Sequence, residues 1–313
     1  MNGFIIHFVS GDAFFSGIFL ILASIAMSFH ARAFTDIAIH TADSKDDSPA
    51  IPPWKTTYRS LVRLIFMVGL IFLALSSTPL PLFLELLLYI LPASLMIILC
   101  FKPVRRKYIV TLASLSSTIC VLSIIAEIPY QRLPPMPKAS FDKAYVVGDS
   151  VSAGVAYKGE KTWPEIAAER CHVKITNLSQ GGGTAGSALS QVKVIKDKKA
   201  LIFLEIGGND MLGRTPLPEY RRNMEKLLKA LQDPERIIVM VEVPWAPFHG
   251  SFCRAQRELA EKYDVILVPR RIFAGVLAGK ESTVDGIHLS NQGHEKMAKM
   301  FIDVCGSILC PQK

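Results

Sequence analysis

The sequence predicts an α/β domain, a parallel sheet covered by helices, preceded by four transmembrane α-helices, and three observations predict this class. Half of the 313 residues are hydrophobic, and the apolar excess is confined to residues 1–128. Within that stretch, four runs are long enough to cross a bilayer as helices. Beyond position 140, short apolar runs alternate with amphipathic helical stretches and turn residues, the pattern of strands alternating with covering helices.

Spanning about 30 Å of hydrocarbon takes roughly 20 apolar residues in a helix, because every backbone polar group must be satisfied internally. Residues 13–29, 61–77, 82–101 and 108–127 meet this requirement, with Pro79 and Pro81 separating the second run from the third. Basic residues are retained on the cytoplasmic side of a membrane. Arg32, Lys45, Lys55 and Arg59 follow the first run, and Lys102, Arg105, Arg106 and Lys107 follow the third; the first twelve residues and the 78–81 turn carry none. The expected topology is an integral protein of a bacterial inner membrane, with the N-terminus and everything after Glu127 on the periplasmic or extracytoplasmic side. The start MNGFIIHFVSGD lacks the basic residues of a signal peptide, so the first run is expected to remain as a span. Glu85 reads as interfacial, and His7 and His30, flanking the first run, as non-ligands.

Residues 129–141, PYQRLPPMPKASF, contain four prolines and read as a semi-rigid linker reaching at most roughly 40 Å. The chain therefore divides into a membrane segment (1–128), this linker, and a soluble domain (142–313). The net charge of +8 splits into 10 basic and 7 acidic residues up to position 135, and 25 and 20 beyond it. Lys and Arg are interleaved with Asp and Glu, with no basic run studded with aromatics, which excludes nucleic acid as a partner.

Five strands are expected in the soluble half, at about 143–147, 173–177, 200–206, 236–242 and 264–268. Between the third and fourth, the 217–231 stretch places Leu217, Tyr220, Met224, Leu227, Leu228 and Leu231 on one helical face. Ligands of such sheets bind at the carboxyl ends of the strands. The polar residues with chemical potential fall there: Gly148-Asp149-Ser150 after the first strand, Asn177 to Gly183 after the second, and Gly207-Gly208-Asn209-Asp210 after the third.

A serine hydroxyl is a poor nucleophile unless a base removes its proton, and that base is usually a neutral histidine oriented by a carboxylate. Ser150 begins a helix after a strand, which exposes its hydroxyl to the cleft. Asp285-Gly286-Ile287-His288 supplies carboxylate and imidazole from one tight loop. Ser150, Asp285 and His288 are thus the candidate catalytic residues. Acyl transfer also needs donors where negative charge develops on the former carbonyl oxygen. The backbone N–H of Ser150, the backbone N–H of Gly182 and the side-chain amide of Asn209 are the candidates for this oxyanion hole, with Gly181 and Gly183 flanking Gly182 as alternatives. No His or Cys pair has the spacing of a zinc site, so His249 and His294 read as surface or helix-capping residues. The 181–183 glycine run lacks the Lys-Ser/Thr of a phosphate-binding loop, and Ser152 interrupts any G-x-S-x-G elbow around Ser150.

With these residues in place, the sequence resembles the SGNH (GDSL-type) hydrolase superfamily, and within it the bacterial thioesterase/lysophospholipase type. The resemblance rests on VVGDSVSAG at 146–154, NLSQGGGT at 177–184, EIGGND at 205–210 and DGIHLS at 285–290, in the family's order, with Thr162-Trp163-Pro164 similar to the start of its first helix. It implies a three-layer α/β/α, flavodoxin-like fold with a five-stranded parallel sheet. It also implies hydrolysis of esters or thioesters without a metal or other cofactor, with Ser150, Gly182, Asn209 and His288 in the signature roles and Asp285 orienting the histidine. The 244–254 loop, PWAPFHGSFCR, departs from the related thioesterases and leaves acyl-chain and leaving-group preference open.

The expected function is a membrane-anchored serine esterase acting on an acyl ester of a lipid or an acylated envelope glycan. The alternatives are an O-acetyl esterase or acetyltransferase of envelope polysaccharide, and a membrane scaffold subunit with a vestigial hydrolase domain. Cys171, Cys253, Cys305 and Cys310 belong to the exported half, where an oxidising environment permits pairing. Cys171 with Cys305 or Cys310 is the candidate pair.

Overall fold

The computed structural model describes residues 3–41, 53–101, 105–154, 161–244 and 247–310. Lys45, Lys102 and Trp245, on which parts of the sequence reading rest, lie outside them. The chain forms two compact units, Asp12–Ile128 in one, and Met1–Gly11 together with Pro129–Lys313 in the other. The short helix α1 (Gly3–Val9) opens the second of these.

The Asp12–Ile128 unit consists of α2 (Asp12–Thr41), α3 (Pro53–Ser76), α4 (Leu82–Phe101) and α5 (Arg106–Glu127). All four are long and apolar enough to cross a membrane. Helix α2 continues to Thr41 rather than ending near Phe29, because no glycine or proline interrupts HARAFTDIAIHT. It meets α3 where Gly17 faces Gly69. A Cβ on Gly17 would lie 2.8 Å from the Gly69 carbonyl oxygen, and one on Gly69 would lie 2.9 Å from that of Gly17. Only glycine lets the two backbones approach so closely, a packing mode suited to helices that gain little from apolar burial against one another. Phe14, Ile18, Phe66, Leu88 and Leu95 fill the interior, while Phe19, Leu64 and Phe83 point outward.

In the other unit, β1 (Lys143–Gly148), β2 (Ile175–Asn177), β3 (Ala200–Glu205), β4 (Ile237–Val241) and β5 (Ile266–Val268) form one sheet in the order β2-β1-β3-β4-β5, with every pairing parallel. Among the described residues, eight helices accompany it: α6 (Ser150–Ala153), α7 (Trp163–Cys171), α8 (Ala188–Val192), α9 (Gly208–Leu212), α10 (Leu217–Leu231), α11 (Gly250–Lys262), α12 (Arg270–Ala278) and α13 (Asn291–Leu309). Successive strand residues point to opposite faces. Tyr145, Val147, Ile202 and Leu204 therefore pack under α8, α10 and α11, while Ala144, Val146, Leu201 and Phe203 pack under α7, α12 and α13. Both faces being covered, the strands are apolar throughout, which is why they read as continuous runs rather than alternating ones. Trp163, Phe203 and Phe301 meet edge to face at the centre of the second layer, with ring centroids 4.8 to 5.3 Å apart.

Residues 129–141 do not hang free as a spacer. The Arg257 guanidinium lies over the Tyr130 ring at 3.5 Å, Arg271 donates to Gln131 Oε1 at 3.3 Å, and Met136 and Phe141 pack against the α7 and α13 layer. Proline sets the extended path, and Tyr130, Met136 and Phe141 lie half-buried along the domain while Leu133 stays exposed. A disulfide joins Cys171 at the end of α7 to Cys310 after α13, with Cα atoms 4.7 Å apart. Cys253 and Cys305 are buried and outside the disulfide, and burial pushes Cys305 up to about 12.

Candidate active site

The site is assembled at the carboxyl ends of β1 and β3. Strand β1 stops at Gly148, where Gln191 of α8 clamps the backbone: its Oε1 accepts the Gly148 N–H at 3.0 Å and its Nε2 donates to the Gly148 carbonyl at 2.9 Å. Asp149 then caps α6, its Oδ1 accepting the Val151 N–H at 2.9 Å, and Ser150 becomes the first helical residue, 8% exposed. The loop after β2 is stitched to the same strand. Leu178 N–H donates to the Val146 carbonyl at 2.8 Å and Gln180 N–H to that of Gly148 at 3.1 Å, while Asn177 Nδ2 donates to the Ser152 carbonyl at 2.8 Å.

After β3 the chain turns at Gly207 with φ +122°, and a Cβ there would sit 3.1 Å from the Tyr220 hydroxyl. This turn presents Asn209 back toward β1. Its Nδ2 donates to Asp149 Oδ2 at 3.1 Å and to the Gly183 carbonyl at 3.0 Å. Asp210, one residue on, faces inward and accepts the Ala185 N–H at 2.8 Å, tying α9 to the glycine loop.

Asp285 and His288 come from a loop pinched by a bridge between Thr283 and Leu289, with Gly286 at φ +96°. Asp285 Oδ1 accepts the backbone N–H groups of Ile287 at 3.0 Å and His288 at 2.8 Å, and its Oδ2 lies 2.6 Å from His288 Nδ1. The imidazole, then the two backbone donors, hold the Asp285 carboxyl well below the usual carboxylate range. The carboxylate keeps the imidazole proton at Nδ1 and leaves Nε2 as the accepting nitrogen.

Ser150, Asn209 and His288 line one cavity of about 250 Å³, whose remaining wall is largely apolar and includes Val9, Phe273 and Leu277. Asp285 stands behind His288, outside the lining. Gly182 is also outside it; its φ of +71° and the open space where a Cβ would go mark it as the tip of the glycine loop. Of its flanking alternatives, Gly183 has its N–H on the Gln180 carbonyl at 3.0 Å and its own carbonyl on Asn209, so Gly183 is committed to holding the loop. His294 is not at the surface but buried, its Nδ1 accepting the Trp163 N–H at 3.2 Å at the start of α7; His249 Nδ1 faces the Pro247 carbonyl at 3.0 Å. Among the described residues, no cluster of His, Cys, Asp and Glu is arranged to hold a metal ion.

One part of the site escaped the sequence reading. Glu205 ends β3 fully buried beside Asp149, the two side chains sharing a hydrogen bond; Glu205 Oε2 also accepts the Ser152 hydroxyl at 2.9 Å, which in turn accepts Trp163 Nε1–H at 3.2 Å. The only signal was a single carboxylate at the end of the apolar run ALIFLE. Burial, then the neighbouring Asp149 charge, raises Glu205 well above the carboxylate range, and burial pushes Asp149 up to about 6. The pair therefore holds a proton at neutral pH, which lets two acids sit side by side in the interior.

Because the folded-state value of Asp149 is raised, its contribution to stability is fully present below the ordinary aspartate range and is lost as pH rises through about 6. Asp149→Asn is expected to flatten the fall in Tm between pH 4 and about pH 6. Glu205→Gln, which imitates the protonated acid, should stay within about 1 kcal/mol of the parent at pH 7, while Glu205→Ala costs about 3 kcal/mol by stranding Ser152 and Asp149. Thermal melts across pH check all three; an unchanged slope in Asp149→Asn, or Glu205→Gln as damaging as Glu205→Ala, contradicts the shared proton.

Three comparisons bear on this geometry. The GDSL-like Lipase/Acylhydrolase family matches residues 146–296. An arylesterase of Vibrio mimicus is 28% identical over 159 residues, covering 47% of this chain and 80% of that protein. Thioesterase 1/protease 1/lysophospholipase L1 of Escherichia coli K12 is 23% identical over 159 residues, covering 48% of this chain and 76% of that protein. Among solved structures, the crystal structure of TesA aligns over 53% of this chain and 99% of its own, at 21% identity and a TM-score of 0.48. The matched family covers the segments that supply every lining residue of the cavity but Val9, and the C-terminal half of this chain is accordingly a hydrolase domain of the SGNH, or GDSL-type, esterase family.

Proposed function

We propose that the protein is a membrane-anchored serine esterase whose hydrolase domain faces the extracytoplasmic side and cleaves acyl esters of lipids or envelope components. The observation that carries this reading is the single cavity lined by Ser150, Asn209 and His288, with Asp285 bonded to the far side of the imidazole. In the reaction, Ser150 Oγ attacks the ester carbonyl carbon as its proton passes to His288 Nε2. The imidazolium is stabilised by Asp285, then gives that proton to the departing alcohol. Water, deprotonated by His288, attacks the acyl-serine and releases the acid.

The oxyanion of each tetrahedral intermediate takes the backbone N–H groups of Ser150 and Gly182 and one amide hydrogen of Asn209. Asn209 Nδ2 already bonds Asp149 and Gly183, so the oxyanion competes with the weaker, neutral acceptor, the Gly183 carbonyl, while Asp149 keeps the amide aimed. A shared side for the N-terminus and the hydrolase domain is supported by the even number of apolar helices and by α1, which belongs to the same compact unit as the hydrolase domain. The basic residues Arg32, Arg59, Arg105 and Arg106 in the intervening segments favour the extracytoplasmic side for both.

Labelling the full chain with a fluorophosphonate probe tests the assignment of the nucleophile. The expected adduct maps by mass spectrometry to the peptide containing Ser150. Labelling confined to another serine would remove the proposed role of Ser150.

A further inference from the structure

Helix α1 belongs to none of the three α/β/α layers, yet it packs on α12, with Phe8 and Val9 buried at 5% and 9% exposure. Gly11 ends the segment at φ +92°, where a Cβ would meet the Arg270 guanidinium at 2.7 Å, so only glycine lets the chain pass this close to the first turn of α12. Val9 is thereby brought to the wall of the cavity that also holds Ser150 and His288, opposite no polar group of its own but continuous with Phe273, Ala274 and Leu277 of α12. Val151 of α6, Met211 and Leu212 of α9, and Val243 just after β4 extend the same apolar lining.

We propose that α1 is a specificity-determining wall of the acyl pocket, and that Val9 sets the length of acyl chain the enzyme accepts. The inference rests on the serine-esterase reading above and adds the substrate class to it. Apart from Ser150, His288 and the cluster of Asp149, Glu205 and Asn209, whose side chains bond one another or the backbone, the lining is apolar and takes hydrocarbon rather than a sugar or a charged headgroup. The cavity of about 250 Å³ has room for several methylene groups beyond the ester carbonyl. The substrates that fit are esters of medium-chain acids, with the alcohol portion left outside.

The experiment compares p-nitrophenyl acetate, octanoate and decanoate as substrates of the full chain in detergent, for the parent, Val9→Trp and Val9→Ala. The indole of Val9→Trp fills the space of two or three methylenes, so the octanoate-to-acetate ratio of kcat/KM is expected to fall about tenfold. Val9→Ala removes bulk at the same wall and is expected to raise the decanoate-to-octanoate ratio severalfold. Should Val9→Trp fail to fold, Val9→Ala decides alone. Ratios equal to those of the parent in whichever variant folds would overturn the role of α1. A parent that hydrolyses none of the three esters would instead defeat the esterase reading itself, so the two failures are distinguishable.

Discussion

Ser150→Ala is expected to lower p-nitrophenyl butyrate hydrolysis by roughly 10³- to 10⁶-fold, leaving only what binding and oxyanion stabilisation supply to water. That loss corresponds to about 4 to 8 kcal/mol of transition-state free energy. The size follows from the arrangement: His288 Nε2, polarised through the 2.6 Å contact of Nδ1 with Asp285, has no other hydroxyl of the cavity lining to activate. The substitution removes one oxygen from a helix start whose cap, Asp149 to Val151, does not involve the Ser150 side chain, so folding should be untouched. Turnover equal to that of the parent, in protein with the parental melting temperature, would dismiss Ser150 as nucleophile.

Loss of the Cys171–Cys310 disulfide should have the largest effect on stability. The bond closes a separation of 139 residues. A chain-entropy account assigns a closure of that length about 5 kcal/mol, and measured losses for native disulfides run from roughly 2 to 5 kcal/mol. For the hydrolase unit this is a fall in Tm of roughly 5 to 20 °C on reduction or in Cys310→Ser. Thermal melts with and without reductant check it. Cys253 and Cys305 are buried, so the thiols that alkylate first after mild reduction should be Cys171 and Cys310. An unchanged Tm under full reduction, verified by mass, would mean the pair carries no structural load.

The sheet was legible because parallel strands covered on both faces must be apolar throughout, and each such run is ended by the glycines and polar residues of its loop. The five expected strands coincide with the observed ones to within about two residues. The cavity residues Ser150 and Asn209 come together because each sits in a short block directly after a strand, so local order in sequence translates into position in space, whereas Asp285 and His288 follow α12 and reach the cavity through a loop. What could not be read depended on contacts distant in sequence. Cys305 and Cys310 lie five residues apart, about 140° around a helix. Only the packing of α13 decides that Cys305 turns into the core while Cys310 meets Cys171. Glu205 was absorbed into an apolar strand, since nothing local reveals that Asp149 from β1's end lies beside it. Residues 129–141 displayed their prolines, and the partial burial of Tyr130, Met136 and Phe141 needed a surface that the sequence does not display. Seven residues of α1 are too few for a helical period to register.

The position of α1 also orders events in time. About 260 residues of chain separate Val9 from Phe273 and about 280 separate it from His288, so α1 makes the longest closures of the cavity, whereas Ser150 and Asn209 follow neighbouring strands of one sheet. During synthesis, α1 leaves the ribosome long before α12 exists to receive it, and it must wait with Phe8 and Val9 uncovered. Because α12 precedes the 283–289 loop in the chain, the surface that receives α1 is made before Asp285 and His288, so the apolar boundary of the cavity does not have to wait for its polar end.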